Sequence, residues 1–197
     1  ISDSEILFSL DDGSNLPGLN TVSDNDVVKF TATSLGENTA GTFSLLFDGS
    51  DVGINWSGEA IDSLTGLPNG NLLISTRGNL NTGSYRARDE DISQFESTSL
   101  GENTAGTFAP YFDGSDVGLG NFLEDVDAFS IGSNGQFFLS TNRNFNVSGL
   151  SGGDEDVFTF TPSSTGATTV GTYDSTLFFD GSQGNVSGDL NGLDVTF

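Results

Sequence analysis

Acidic side chains recur in three patterns, and each could hold a cation. The first is Asp24-Asn25-Asp26, Asp89-Glu90-Asp91 and Asp154-Glu155-Asp156. On a strand, residues i and i+2 point to the same side, roughly 6.5 to 7 Å apart. Two carboxylates so placed repel by about 0.6 kcal/mol in bulk water and several times more where water is scarce. A hard cation such as Ca²⁺, which takes several oxygen ligands, relieves that repulsion, and the middle residue can add another oxygen. The competing expectation is a solvated loop in which each Asp bonds backbone amides.

The second pattern is Phe-Asp-Gly-Ser, at Asp48, Asp113 and Asp180. It is expected first as a turn, with the Asp bonding its own backbone and the Gly taking positive φ. Asp51 and Asp116 follow three residues later as possible helpers at a cation site, whereas the third copy has Gln183 there. The third pattern is Asp62, Asp127 and Asp194, with Glu59 and Glu124 upstream of the first two. If these lie on innermost strands, the carboxylates converge near an axis and could bind a central cation. Alternatively, each caps its own strand by accepting a neighbouring amide. The EF-hand loop pattern is absent. Gly152-Gly153-Asp154 echoes the nonapeptide calcium repeats, but the long period seen below argues against that fold.

The residue types that are missing narrow the chemistry. The chain has no His and no Cys, and its only Lys is Lys29, so no imidazole base, thiolate or disulfide exists. Serine therefore lacks its usual activating partner. A carboxylate pair such as Glu124 and Asp127 has glycosidase-type residues, but its repetition favours a structural or metal role. A calcium-dependent hydrolase on a propeller scaffold ranks third among functional classes, and the expectation is a non-enzyme. Twenty-eight acids face five bases, for a net charge of −23. That excludes phosphate-backbone binding and disfavours anionic lipid. Arg86 and Arg88 beside Asp89 and Asp91 are expected as local charge compensation. The single Trp56 follows Asn55 in a loop; it is either a core plug or a ring that stacks on a sugar. Asn55, Asn146 and Asn185 stand in Asn-x-Ser sequons.

These residues are positioned by a repeat. The first two acidic patterns recur at a spacing of 65 residues, stretching to 67 between Phe112 and Phe179. The segment Thr33 to Phe43 returns unchanged as Thr98 to Phe108, which marks a tandem duplication. The two extra residues of the third copy are expected around Thr168-Thr169-Val170. Helical periodicity is absent, and short β-branched and aromatic runs alternate with turn residues. In the third repeat these are Val126 to Ile131, Gln136 to Thr141, Val157 to Thr161 and Tyr173 to Phe179, with an Asn134-Gly135 hairpin turn. The second repeat gives Ile61 to Thr65, Asn71 to Thr76, Ile92 to Glu96 and Thr107 to Phe112. The first gives only three, Glu5 to Leu10, Val27 to Thr31 and Thr42 to Phe47. Leu193 to Phe197 matches a first strand.

The fold expected is all-β: three tandem four-stranded antiparallel units, β-propeller-like, with offset, strand-swapped ring closure. Within a single repeat domain, 1–197, the units are roughly 1–58 plus 189–197, 59–123 and 124–188. Three blades are fewer than the usual four to eight. The expectation is therefore a homodimer completing a ring, an excerpt of a longer array, or another threefold fold such as a trefoil or prism. The absence of Met, including at position 1, is in keeping with a processed product or an excerpt. No apolar run is long enough for a membrane helix, so no membrane insertion is expected.

The strings Phe112 to Leu119, Glu124 to Ala128, Leu139 to Thr141 and Asp154 to Phe158 resemble tandem repeats of secreted or surface proteins of bacteria, cyanobacteria among them. The resemblance covers nearly the whole chain. It implies a propeller-like fold and an extracellular or cell-surface location, and it supplies no catalytic residue. The function expected is a structural or adhesive module stabilised by Ca²⁺-like ions, self-associating into a ring or a polymer. A carbohydrate-binding module using Trp56, with glycans as partners, is the alternative.

Overall fold

Short runs of Val, Ile, Leu and Phe between Gly-rich turns form strands that pack into a core, and Leu72–Thr76 and Phe137–Ser140 are buried along their whole length. A computed structural model describes residues 4–120 and 123–195. The first repeat contributes β1 (Glu5–Phe8), β2 (Ser14–Asn15), β3 (Thr21–Val22), β4 (Val27–Ser34) and β5 (Ala40–Phe47). The second contributes β6 (Ile61–Gly66), β7 (Leu72–Thr76), β8 (Leu80–Asn81), β9 (Arg86–Ala87), β10 (Ile92–Ser99) and β11 (Ala105–Phe112). The third contributes β12 (Ala128–Ile131), β13 (Phe137–Ser140), β14 (Phe145–Val147), β15 (Leu150–Gly152), β16 (Phe158–Ser164) and β17 (Val170–Tyr173).

The main strands form antiparallel sheets in the orders β1-β4-β5, β6-β7-β10-β11 and β12-β13-β16-β17. Each repeat also carries a short hairpin, β2-β3, β8-β9 or β14-β15, between its second and third main strands. The sequence suggested only a loop there, because strands of two or three residues are too short to display a period. The Asn134-Gly135 turn forms as expected: Gly132 N–H donates to Gln136 O at 2.9 Å, and Gly135 sits at φ 81°.

Apolar side chains collect between successive sheets rather than within one. One cluster joins Val27 and Phe47 of the first repeat to Ile61, Ile74 and Phe95 of the second. The next joins Leu73, Ile92 and Phe112 of the second repeat to Phe129, Phe137 and Phe160 of the third. The same ring contact recurs at both boundaries. Phe47 meets Phe95 edge to face at 5.0 Å, and Phe112 meets Phe160 edge to face at 5.5 Å. Each such pair adds to the burial of the rings themselves.

Three expectations change. The two extra residues do not lie around 168–170. Thr169 still bonds Asp113 as Thr104 bonds Asp48, at the same spacing. The insertion therefore falls after Tyr173, where β17 ends; Val157 O then accepts both Phe178 and Phe179 N–H. Consequently the last strand of the third repeat is Val170–Tyr173, not Tyr173 to Phe179. Finally, residues 193–195 are not a strand, and β1 pairs only with β4 among the described residues. Val195 N–H instead donates to Ser130 Oγ on β12 at 3.2 Å. The remainder of the expected C-terminal strand, 196–197, lies outside the described residues.

Candidate functional site

In each Asp-x-Asp block the second Asp is a backbone anchor. Asp26 Oδ2 accepts Ser23 N–H at 2.8 Å and Oδ1 accepts Gly49 N–H at 3.1 Å. Asp91 does the same with Arg88 and Gly114 (2.8 and 3.0 Å), and Asp156 with Gly153 and Gly181 (2.8 and 2.9 Å). The block thus ties a tight turn before the third main strand to the Asp-Gly-Ser turn after the fourth. Burial raises the carboxyls of Asp26 and Asp91, opposed by these amides. The first Asp of each block works through its carbonyl: Asp24 O accepts Ile61 N–H, Asp89 O accepts Val126 N–H, and Asp154 O accepts Leu190 N–H. Buried Glu90 is pushed up to about 7, chiefly by desolvation and then by contact with Asp89.

The Asp-Gly-Ser turn forms as expected, but its glycine serves another purpose. Asp48, Asp113 and Asp180 each accept the hydroxyl two residues on at 2.7 Å. Gly49 and Gly114 have φ of −65° and −66°, not positive. They are glycine because a Cβ would lie 2.2 Å from Asn25 O or 2.4 Å from Glu90 O. Positive φ falls instead at Gly53 and Gly118, which end the short 3₁₀ turns Ser50–Val52 and Ser115–Val117.

Asp51 and Asp116 reach across repeat boundaries. Asp51 Oδ2 accepts Thr104 N–H, and Asp116 Oδ2 accepts Thr169 N–H, both at 2.9 Å. In return Thr104 Oγ1 accepts Asp48 N–H at 2.9 Å, and Thr169 Oγ1 accepts Asp113 N–H at 2.8 Å. Glu59 and Glu124 are likewise occupied by amides. Glu59 accepts from Asn55, Trp56 and Asn81, and Glu124 from Gly120 and Asn146.

Four further acids meet in a cavity of about 310 Å³ to which all three repeats contribute. Asp62, Asp125, Asp127 and Asp189 line it, together with Arg77, Asn142 and Asn191, and with Ser9 and Asp11 from the first repeat. Asp62 is the extra residue of a β-bulge between Ile61 and Ser63, a feature that re-aims a side chain. Asp125 and Asp127 are each only 2% exposed. Five buried oxygens here meet no donor: Asp62 Oδ1, Asp125 Oδ1, both of Asp127, and Asn142 Oδ1. Asn142 Nδ2 donates to Asp125 Oδ2 at 2.8 Å. The one base lining the cavity, Arg77, is engaged by Asp11. An ionised buried carboxylate without a partner costs on the order of several kcal/mol. Desolvation, followed by neighbouring acids, pushes Asp125 and Asp127 up to about 9, and Asp62 and Asp189 rise for the same leading reason. Among the described residues, no three or more acidic side chains are placed closely enough to hold a metal ion as they stand.

Of the expected central ring, Asp62 and Asp127 line this cavity and Asp194 does not. Leu190-Asn191-Gly192 takes the place expected for Leu193-Asp194-Val195, since Leu190 N–H bonds Asp154 O as Val126 N–H bonds Asp89 O. Asp125 and Asp189 were the residues to find, and the match between Asp125-Val126-Asp127 and Asp189-Leu190-Asn191 was their signal.

Trp56 is not a core plug. It is 70% exposed at a cleft of about 930 Å³ also lined by Asn79, Asn81, Arg86 and Arg88. Among the described residues, neither arginine forms a contact ion pair with Asp89 or Asp91, but against the burial that raises the Asp91 carboxyl the charge of Arg88 acts to lower it, as expected for local compensation. The fold and these contacts define an all-β protein of repeated strand units. No protein-family model matches the chain, and no curated protein or solved structure matches it either.

Proposed function

We propose that the chain is a non-enzymatic structural or adhesive module of the cell exterior, stabilised by calcium-like cations and assembling with further copies. The observation that carries this reading is the boundary contact Asp51–Thr104, repeated as Asp116–Thr169. The repeated acids Asp26, Asp51, Asp91, Asp116 and Asp156, with Glu59 and Glu124, are consumed in joining turns and units. A propeller-like arrangement of the three sheets suits cores that lie between successive units; a trefoil or prism is the alternative. Self-association is supported by the first repeat, where the Thr39 hydroxyl bonds Gly36 O and no carboxylate among the described residues latches its amide, while the equivalent Thr104 is latched by Asp51. Leu35 there is 52% exposed, whereas its equivalent Leu100 packs against a core. The test is the mass in solution by light scattering, together with electron microscopy. Rings or polymers are expected; a monomer at all concentrations overturns the assembly.

A second reading, carbohydrate binding, is favoured by exposed Trp56 beside amide and guanidinium groups, which suits stacking on a sugar face with polar contacts at its rim. A glycan array is the test. Binding lost in Trp56→Ala supports this reading, and an array without hits removes it.

A further inference from the structure

We infer that the cavity walled by Asp62, Asp125, Asp127 and Asp189 binds one divalent hard cation, Ca²⁺ being the best match, and that this ion ties together the separate chain segments that wall it. This deepens the cation-stabilised reading above, on which it rests, by assigning the ion a place.

Acidity alone does not single out this cavity, because the chain is acidic throughout. The donors do. Elsewhere the repeated acids are met by backbone amides, as at Asp26, Asp91, Asp156, Glu59 and Glu124. Here five buried oxygens from four residues face inward with nothing to accept. Four are carboxylate oxygens and one is a neutral amide oxygen, the mixture that hard cations take. Asp127 is the sharpest case: it is 98% buried, since only 2% is exposed, and neither of its oxygens meets a donor. Its neighbour Asp189 offers another carboxylate, so only a proton or a metal ion can sit between the two. The other polar groups lining the site include Ser9 and Asp11 of the first repeat. Arg77 is held by Asp11, Asn142 Nδ2 is spent on Asp125, and Asn191, with its amide turned toward its acceptors, donates to Asp189 Oδ2 at 3.1 Å.

The residues come from different parts of the chain. Asp62 stands on a bulge of β6, Asp125 and Asp127 precede β12, and Asp189 follows the third repeat. β6 and β12 are already linked by Thr65 Oγ1 donating to Phe129 O at 3.0 Å. The site therefore lies at a boundary that the backbone fixes without it. Bulged Asp62 and the irregular segment bearing Asp189 have room to close around an ion, and about 310 Å³ leaves space for its remaining waters.

The test is calcium titration of the whole chain by calorimetry, with thermal melting in parallel. One ion per chain is expected, with a higher melting midpoint in calcium than in EGTA. Asp127→Asn and Asp125→Asn each relieve repulsion without changing shape, so both variants should fold. Each should lower the affinity at least about tenfold and remove most of the calcium-dependent shift. Asp194→Asn should leave both unchanged. Calcium uptake that survives Asp127→Asn and Asp125→Asn overturns this site while leaving the cation reading standing. No uptake to about 10 mM, above the roughly millimolar range of extracellular calcium modules, overturns both.

Discussion

Asp51 Oδ2 accepts the backbone amide of Thr104 at 2.9 Å, from one repeat to the next. Thr104 is 4% exposed and its hydroxyl is used twice, accepting Asp48 N–H and donating to Gly101 O. Removing the carboxylate strands a buried amide. Asp51→Ala and Asp116→Ala should each cost about 1–3 kcal/mol in urea unfolding, the typical penalty for such a group. Asn substitutions keep an acceptor and should cost less. Equal losses for Ala and Asn would indicate that packing, not the hydrogen bond, matters there.

Gly114 is hemmed in by Glu90, whose carbonyl oxygen lies 2.4 Å from where a Cβ would stand. Gly114→Ala should therefore destabilise strongly despite its ordinary φ, by about 1–3 kcal/mol as overpacking does. Gly58 has open space and no positive φ, so Gly58→Ala should change stability by no more than about 0.5 kcal/mol. Denaturant midpoints of the pair decide the matter.

Phe112 is fully buried between two sheets and packs against both Phe137 and Phe160. Phe112→Ala should cost about 3–5 kcal/mol. Because the core is shared by the second and third repeats, melting should remain a single transition at a lower midpoint. Two separated transitions would show that the repeats unfold independently.

Stability in EGTA should fall as pH rises. Asp125 and Asp127 keep their protons to about 9 in the folded chain, against an ordinary value of 3.8. Between those values the folded chain binds more protons than the unfolded one, so each rise in pH favours unfolding. The stabilisation is complete below about pH 4 for these two groups and gone above about pH 9. Melting midpoints from pH 5 to 9 should therefore decline, less steeply in Asp127→Asn. A flat profile in the wild type would contradict the burial of these carboxyls.

Much of the fold was legible because short strand-forming runs and a 65-residue repeat are both explicit in the chain. Strands such as Ile92–Ser99 and Leu72–Thr76 follow from short β-branched and apolar runs bounded by turn residues. The site was less legible for a physical reason: carboxylates that bind amides and carboxylates that bind metals are the same residues. Asp26 and Asp127 look alike in sequence. Only the fold brings Gly49 N–H to the first and leaves the second without a donor. Likewise, nothing local marked Gly49 as a close-approach glycine, since Asn25 O meets it from the neighbouring block.

Both boundary carboxylates reach an amide 53 residues downstream. The two-residue insertion of the third repeat lies beyond Thr169 and leaves that interval untouched. A gene encoding such units can gain or lose one whole copy by unequal recombination and keep every cross-boundary bond in register. A slip of one or two residues inside the interval breaks the bond. Adding a whole unit therefore repeats an existing contact, so an array of such units can lengthen without any new contact having to arise.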